Sequence, residues 1–300
     1  MHQQLPDWPT TLVPPLSVDR PHLWQVSLSI STISENKFQE LRATLSPDER
    51  AKADRFYDPL DRHRYIIARG TLRSILSHYL HLDPSLIKFT YTPQGKPVLD
   101  RTLLPKNPQT PQTNLSNLSA LPNIQFNLSH SQDLAVYAVA LDRPLGIDVE
   151  YLRPLKDALS LANRWFTPKE YAEIYQSSDP TTTFFRFWTA KEAYLKATGA
   201  GLRHLSRVEI FTNPDGSLQL RDFPDSPDNS PDNSPNNLQS NSQSNSQSNS
   251  QDLDNLELDN PVNWSIEELA PAPGYVGALA IPDHLTMPKN PEVPEFWGIS

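Results

Sequence analysis

Residues 23–30 (LWQVSLSI) and residues 144–151 (PLGIDVEY) stand 121 positions apart, and the register between them organises the rest of the chain. Both alternate apolar and small or polar residues in the period of a half-buried strand. At the same offset Ser46-Pro47-Asp48-Glu49 meets Thr167-Pro168-Lys169-Glu170. Each is a capping box with proline at the first helical position, so each predicts a helix start. Further on, residues 89–99 (FTYTPQGKPVL) meet residues 210–220 (IFTNPDGSLQL), and Pro93 and Gly95 match Pro214 and Gly216 as a turn between strands. None of these pairs needs a gap.

Each half then adds a strand pair, 124–128 with 135–141 and 263–267 with 275–281. The pattern predicts the α+β class: two subdomains related by a pseudo-two-fold, each an antiparallel sheet with packed helices, and a ligand crevice between them. The expected boundaries are a Pro-rich segment at 1–20, a first lobe at 21–143 with an insertion at 105–123, and a second lobe at 144–281. Inside the second lobe, about 222–260 is an insertion, and within it residues 226–251 carry a repeated Ser-Asn-Ser-Gln tract, no aromatic residue and one aliphatic residue, Leu238. Such a composition cannot bury enough surface to offset its ordering entropy, so disorder is expected there. Residues 282–300, with four prolines, are expected to form a tail.

Composition narrows the function. No cysteine is present, which removes disulfides and thiolate chemistry and fits a cytoplasmic protein. Nine glycines form neither G-x-G-x-x-G nor G-x-x-x-x-G-K-[ST], so any phosphate must be held by side chains or metal. No apolar run is long enough to span a membrane. The net charge of −9 argues against nucleic acid, yet eight of the acids fall in 222–260, where no Lys or Arg occurs. Between Arg50 and Arg73, by contrast, seven Lys/Arg face three Asp, so an anionic ligand is admissible.

The two halves differ where chemistry would be placed. Ser27 and Ser29 of the first strand become Asp148 and Glu150, which share one strand face with Cα atoms roughly 7 Å apart. Two carboxylates so placed suit a hard cation or an ordinary solvated face. On the helix expected over 184–198, Gly70, Thr71 and Ile75 of the first copy become Lys191, Glu192 and Lys196. Trp188, Glu192 and Lys196 then stack on one face, where Glu192 and Lys196 make either a plain i,i+4 pair or two arms on a common ligand. Three acids and two ammonium groups gained in one half match what Mg²⁺ and phosphate require. Asn127-Leu128-Ser129-His130-Ser131 is expected at a turn. Neighbouring strand residues point to opposite faces, which disfavours a Ser129-His130 nucleophile pair, and contact with an anion stands beside the reading of a satisfied turn histidine. Lys96 in Gly95-Lys96-Pro97 is likewise a turn lysine or a phosphate partner.

Gly146-Ile147-Asp148-Val149-Glu150, the Phe187-Trp188-Thr189-Ala190-Lys191-Glu192-Ala193 run continuing to Lys196, Gly95-Lys96-Pro97 and Asn127–Ser131 together resemble the 4′-phosphopantetheinyl transferases, in their two-lobed Sfp-type branch. The resemblance spans about 23–281 apart from the insertions. It implies transfer of the 4′-phosphopantetheine arm of coenzyme A to a serine of an acyl or peptidyl carrier protein, with release of adenosine 3′,5′-bisphosphate. It further implies Mg²⁺ on Asp148, Glu150 and Glu192, and charge neutralisation by Lys196 and Lys191. Coenzyme A contacts are implied for Lys52, Arg64, Lys96, Ser129 and His130, the last at the 3′-phosphate. Glu49 stands where some members carry a base, with Arg50 beside it as a substitute. Catalysis would fall to Glu192, Lys196 and Asp148, with Glu192 as base, ligand or both. The competing readings are another Mg²⁺-dependent phosphoryl-transfer enzyme and a non-catalytic module that binds coenzyme A or a carrier. Because the duplication already supplies two halves, a monomer is expected.

Overall fold

Both capping boxes form, and they start equivalent helices. The structure, a computed structural model, describes residues 13, 15–100, 123–222, 263–283 and 296–299. The first lobe runs β1 (His22–Ser27), α1 (Glu35–Thr44), α2 (Pro47–Ala53), α3 (Pro59–Leu80), β2 (Phe89–Tyr91), β3 (Pro97–Leu99), β4 (Ile124–Ser131) and β5 (Leu134–Leu141). The second repeats that order as β6 (Gly146–Tyr151), α4 (Ala158–Trp165), α5 (Pro168–Gln176), α6 (Pro180–Thr198), β7 (Val208–Thr212), β8 (Leu218–Asp222), β9 (Trp264–Leu269) and β10 (Tyr275–Pro282). Ser46 caps α2 and Thr167 caps α5, each with its glutamate three residues on reaching back to the cap N–H. The long helices also start alike, on Asp58 with Pro59 and on Asp179 with Pro180.

The sheets repeat the same topology. In the first lobe β5 lies between β1 and β4; in the second β10 lies between β6 and β9; β2–β3 and β7–β8 are separate hairpins. All of these pairs are antiparallel. β5 (LAVYAVAL) shows why the lobes cohere. Its odd residues Ala135, Tyr137 and Val139 pack with Ile67, Leu72 and Ile75 of α3, while its even residues Leu134, Val136, Ala138 and Ala140 pack with Ile147 and Val149 of β6 and Leu279 of β10. A strand buried on both faces reads as a continuous apolar run, as this one does. The second sheet's other face, Ala278 and Ala280 of β10, meets α6. The layers are therefore α3, first sheet, second sheet, α6, with one core shared between the sheets. No helix among the described residues is long and apolar enough to cross a membrane.

Two expectations change. The segment 129–131 is strand, not turn: β4 continues through Ser131, paired with Leu134, and only Gln132 and Asp133 make the turn, Gln132 with φ of 49°. The tail is not wholly without structure, because its end forms β11 (Trp297–Ile299), parallel to β1. β1 offers an edge there, and a short extended segment satisfies its free backbone groups. The expected insertions lie outside the described residues except for Asn123 and Asp222 at their ends, as does most of the expected N-terminal segment.

Candidate active site at the lobe seam

β4 and β6 belong to different sheets and are joined through side chains. The Asn127 Oδ1 accepts from the Ile147 N–H at 2.9 Å. Ser129 Oγ donates to Asp148 Oδ1 at 2.7 Å, and Ser131 Oγ donates to Glu150 Oε2 at 2.7 Å while accepting from the Tyr151 N–H at 3.1 Å. Asn-x-Ser-x-Ser on one strand thus matches Asp-x-Glu on the other, both in the period of two that puts alternate side chains on one face. Each carboxylate is fixed by one oxygen. The other oxygen of Asp148, Oδ2, is buried with no partner among the described residues.

Helix α6 approaches β6 because Gly146 has no side chain: a Cβ there would lie 2.0 Å from the Ala193 carbonyl oxygen. That approach carries Glu192 and Lys196 to the acids of β6. Lys196 Nζ donates to Asp148 Oδ1 at 2.6 Å, Ser129 Oγ at 3.1 Å and the Ile147 carbonyl at 3.4 Å. Glu192 is half-buried. Its pKa is raised by desolvation, against the pull of Lys196 and with the further push of Asp148 and Glu150. The three acids therefore feel one another, although no three metal-ligating side chains among the described residues close into a ready-made cage. Their donor chemistry fits a hard cation: three carboxylates, one with an orphaned buried oxygen and one that burial leaves poorly solvated.

Beside this cluster a cleft of ≈ 740 Å³ opens between α3, the β2–β3 hairpin, the tip of β4 and the end of β6. Lys52, Arg64, Arg69, His130 and Arg153 line it, with Glu150 at its inner wall. Lys52 Nζ sits 5.3 Å from the centre of the Tyr65 ring, and Arg64 is held by Asp133 at 2.8 Å. His130 is exposed toward the cleft. Loss of solvent on its protein side, reinforced by Lys196 and Arg64, lowers its pKa. Sequence reasoning missed Arg69 and Arg153. Arg69 donates to Glu49 at 2.6 Å and to the Tyr91 hydroxyl, and Arg153 reaches Glu150 at 3.5 Å. Glu150-x-x-Arg153 is a spacing that could have flagged the second; Arg69 shows itself only through the fold.

Three expected contacts move elsewhere. Lys191 is wholly buried, with its ammonium 2.7 Å from Glu170 and 3.1 Å from the Leu205 carbonyl, so it does not reach the cleft. The reason is the capping glutamate. Glu170 is fully buried and needs a cation, which Lys191 supplies as Arg69 and Arg73 do for Glu49. Glu49 is thereby used up inside the first lobe, and Arg50 turns to the Leu45 carbonyl. Lys96 also points away from the cleft. Its ammonium donates to the Lys196 carbonyl at 2.7 Å and the Leu145 carbonyl at 3.4 Å, and burial with the nearby Lys196 charge lowers its pKa to about 8.

Known proteins align with both lobes. The model of the 4'-phosphopantetheinyl transferase superfamily matches residues 144–248, and that of the 4'-phosphopantetheinyl transferase N-terminal region matches residues 32–141. The 4'-phosphopantetheinyl transferase HetI of Nostoc sp. is 44% identical over 209 residues, which cover 69% of this chain and 80% of that one. A putative 4'-phosphopantetheinyl transferase of Synechocystis sp. is 34% identical, over 54% of this chain and 59% of that one. The 4'-phosphopantetheinyl transferase Sfp of Bacillus subtilis is 29% identical, over 65% of this chain and 78% of that one. With both lobes matched and the acid-lysine cluster set between them, the chain belongs to the 4'-phosphopantetheinyl transferase family.

Proposed function

We propose that this chain moves the 4′-phosphopantetheine arm of coenzyme A onto the serine of an acyl or peptidyl carrier protein in the presence of Mg²⁺, releasing adenosine 3′,5′-bisphosphate. The observation that carries the reading is one juxtaposition: Asp148, Glu150, Glu192 and Lys196 meet where a cation-lined cleft ends.

Asp148, Glu150 and Glu192 are the residues that would hold Mg²⁺, which when bound supplies positive charge to a pyrophosphate. The chain's own residues do the rest. Among the residues lining the cleft, Lys52, Arg64, Arg69 and Arg153 outnumber Asp61 and Glu150, and that excess of positive charge favours a polyphosphate ligand. His130, exposed at the cleft, offers an N–H to a phosphate oxygen. The carrier serine attacks the β-phosphorus, and the P–O bond toward the adenylate breaks. Lys196, already fixed by Asp148 and Ser129, presents its ammonium to the charge that builds on the leaving oxygen. Glu192, brought beside Lys196 and Asp148 on the face of α6, is the carboxylate that takes the serine proton. In this reading the protein is a cytoplasmic monomer, since each lobe supplies part of one site.

The test is a purified apo carrier incubated with coenzyme A, Mg²⁺ and the enzyme, across fatty-acid, polyketide and nonribosomal-peptide carriers. A gain of one phosphopantetheine mass, absent with Asp148→Ala, supports the proposal. No mass gain on any carrier, or thermal stabilisation by ATP and not by coenzyme A, would reverse it.

A further inference from the structure

We propose that Lys96 is a positioning residue that ties the first lobe's hairpin to the end of α6 and so fixes where Lys196 stands, and that it is not a phosphate ligand. This rests on the transferase reading given above. Gly95 and Pro97 line the cleft, but Lys96 between them does not. Its ammonium instead lies 2.7 Å from the Lys196 carbonyl and 3.4 Å from the Leu145 carbonyl.

Those two acceptors have a particular meaning. Lys196 belongs to the last turn of α6, which ends at Thr198 with Gly199 in the left-handed region. Its carbonyl is one of the four a helix leaves without an internal partner, at the negative end of the helix dipole, where a cation is favourable. Leu145 immediately precedes β6. One ammonium from the first lobe therefore spans the end of α6 and the start of β6, the two elements that bring Lys196 and Asp148 together. The hairpin seats there by shape as well: Gln94 Cγ would lie 3.1 Å from a Cβ on Gly201, just beyond α6. Lys196 is thus gripped at both ends, its carbonyl by Lys96 and its ammonium by Ser129 and Asp148. At a reacting group a shift of about 1 Å costs on the order of a hundredfold in rate, so the tie belongs to the chemical step more than to binding.

The experiment compares full-length wild type, Lys96→Met and Lys96→Arg by kcat and KM for coenzyme A on an apo carrier, with the Kd for coenzyme A measured by calorimetry. The expected result is a loss in kcat of at least about tenfold in Lys96→Met, with Kd and KM within about twofold, and recovery in Lys96→Arg, which keeps donors for both carbonyls. A Kd raised about tenfold or more in Lys96→Met with kcat kept would make Lys96 a phosphate ligand and overturn the proposal, as would no change in either. If Lys96→Met cannot be purified folded, Lys96→Gln must show the same loss confined to kcat. A wild type that modifies no carrier fails the transferase reading; an active wild type with the wrong pattern in the variants fails the tie alone.

Discussion

Lys191 and Lys196 stand five residues apart on one helix and meet opposite surroundings. Lys191 has no solvent exposure and lies against Glu170, itself fully buried, with the Phe166 ring 5.0 Å away. Removing one partner of such a pair strands a charge in the core, at a cost of roughly 3–5 kcal/mol. Lys191→Met is therefore expected to lower the denaturation midpoint sharply while the folded fraction keeps its kcat and its affinity for coenzyme A; urea melts and assays on the folded enzyme check both. A Kd for coenzyme A that rises in step with the melt would instead place Lys191 at the ligand. Lys196 is 28% exposed but its partner Asp148 is buried, so Lys196→Met should cost some stability and, unlike Lys191→Met, lower the kcat of the folded enzyme. Glu192 makes a pH prediction. Without metal its pKa lies above the ordinary glutamate value, and a carboxylate must be ionised to hold Mg²⁺, so the affinity for Mg²⁺ should begin to fall at a higher pH on acidification than a free carboxylate would dictate. The pH profile of Mg²⁺ binding reads this directly. Glu192→Gln, which cannot accept the proton, should lose about 10²–10⁴-fold at all pH values.

At the scale of elements, the closest approach is that of α6 to β6 over Gly146. A methyl group at Gly146 would meet the Ala193 carbonyl at 2.0 Å and the Ala197 nitrogen at 2.5 Å, both backbone atoms that cannot rotate away. Gly146→Ala should cost at least about 1–3 kcal/mol and lower kcat, since the same displacement draws Lys196 from Asp148; chemical denaturation beside an assay tests the two together, and an unchanged kcat would uncouple them. Much of this architecture is legible in the sequence because it rests on local chemistry. A capping box announces α2 and α5 whatever surrounds them, and Pro-x-Gly announces both hairpin turns. Asp148 and Glu150 are legible for the same reason, since strand alternation alone puts them on one face. What escapes is whatever depends on a distant partner. Lys191 differs from Gly70 at the matching position, and that gain reads as an active-site cation until Glu170 is seen buried beside it. Ser131 reads as turn because nothing local extends β4; its pairing with Leu134 and its bond to Glu150 are tertiary. β11 forms only because β1 leaves an edge free.

Across the whole molecule, the two lobes have one core in common and one site in common, which makes them a single thermodynamic unit. Between the sheets Leu23, Val136 and Ala138 of the first lobe pack against Ile147, Val149 and Leu279 of the second, each at most 1% exposed. Separating the lobes would bare both sheet faces as apolar patches of a size that soluble monomers seldom tolerate. Heating or urea should accordingly give one transition seen alike by tryptophan fluorescence and circular dichroism, without an intermediate holding one folded lobe. Fragments 1–143 and 144–300 expressed alone should lack cooperative melting, although each carries its own helices and a three-stranded antiparallel sheet. Cooperative unfolding of either fragment would show that its lobe is stable without the shared layer. Activity divides along the same line. Ser129, Ser131 and Lys96 come from the first lobe, and Asp148, Glu150, Glu192 and Lys196 come from the second. Neither fragment should bind coenzyme A or modify a carrier alone, and any activity on mixing should follow the return of the cooperative transition, because the seam that completes the fold is also the seam that completes the site.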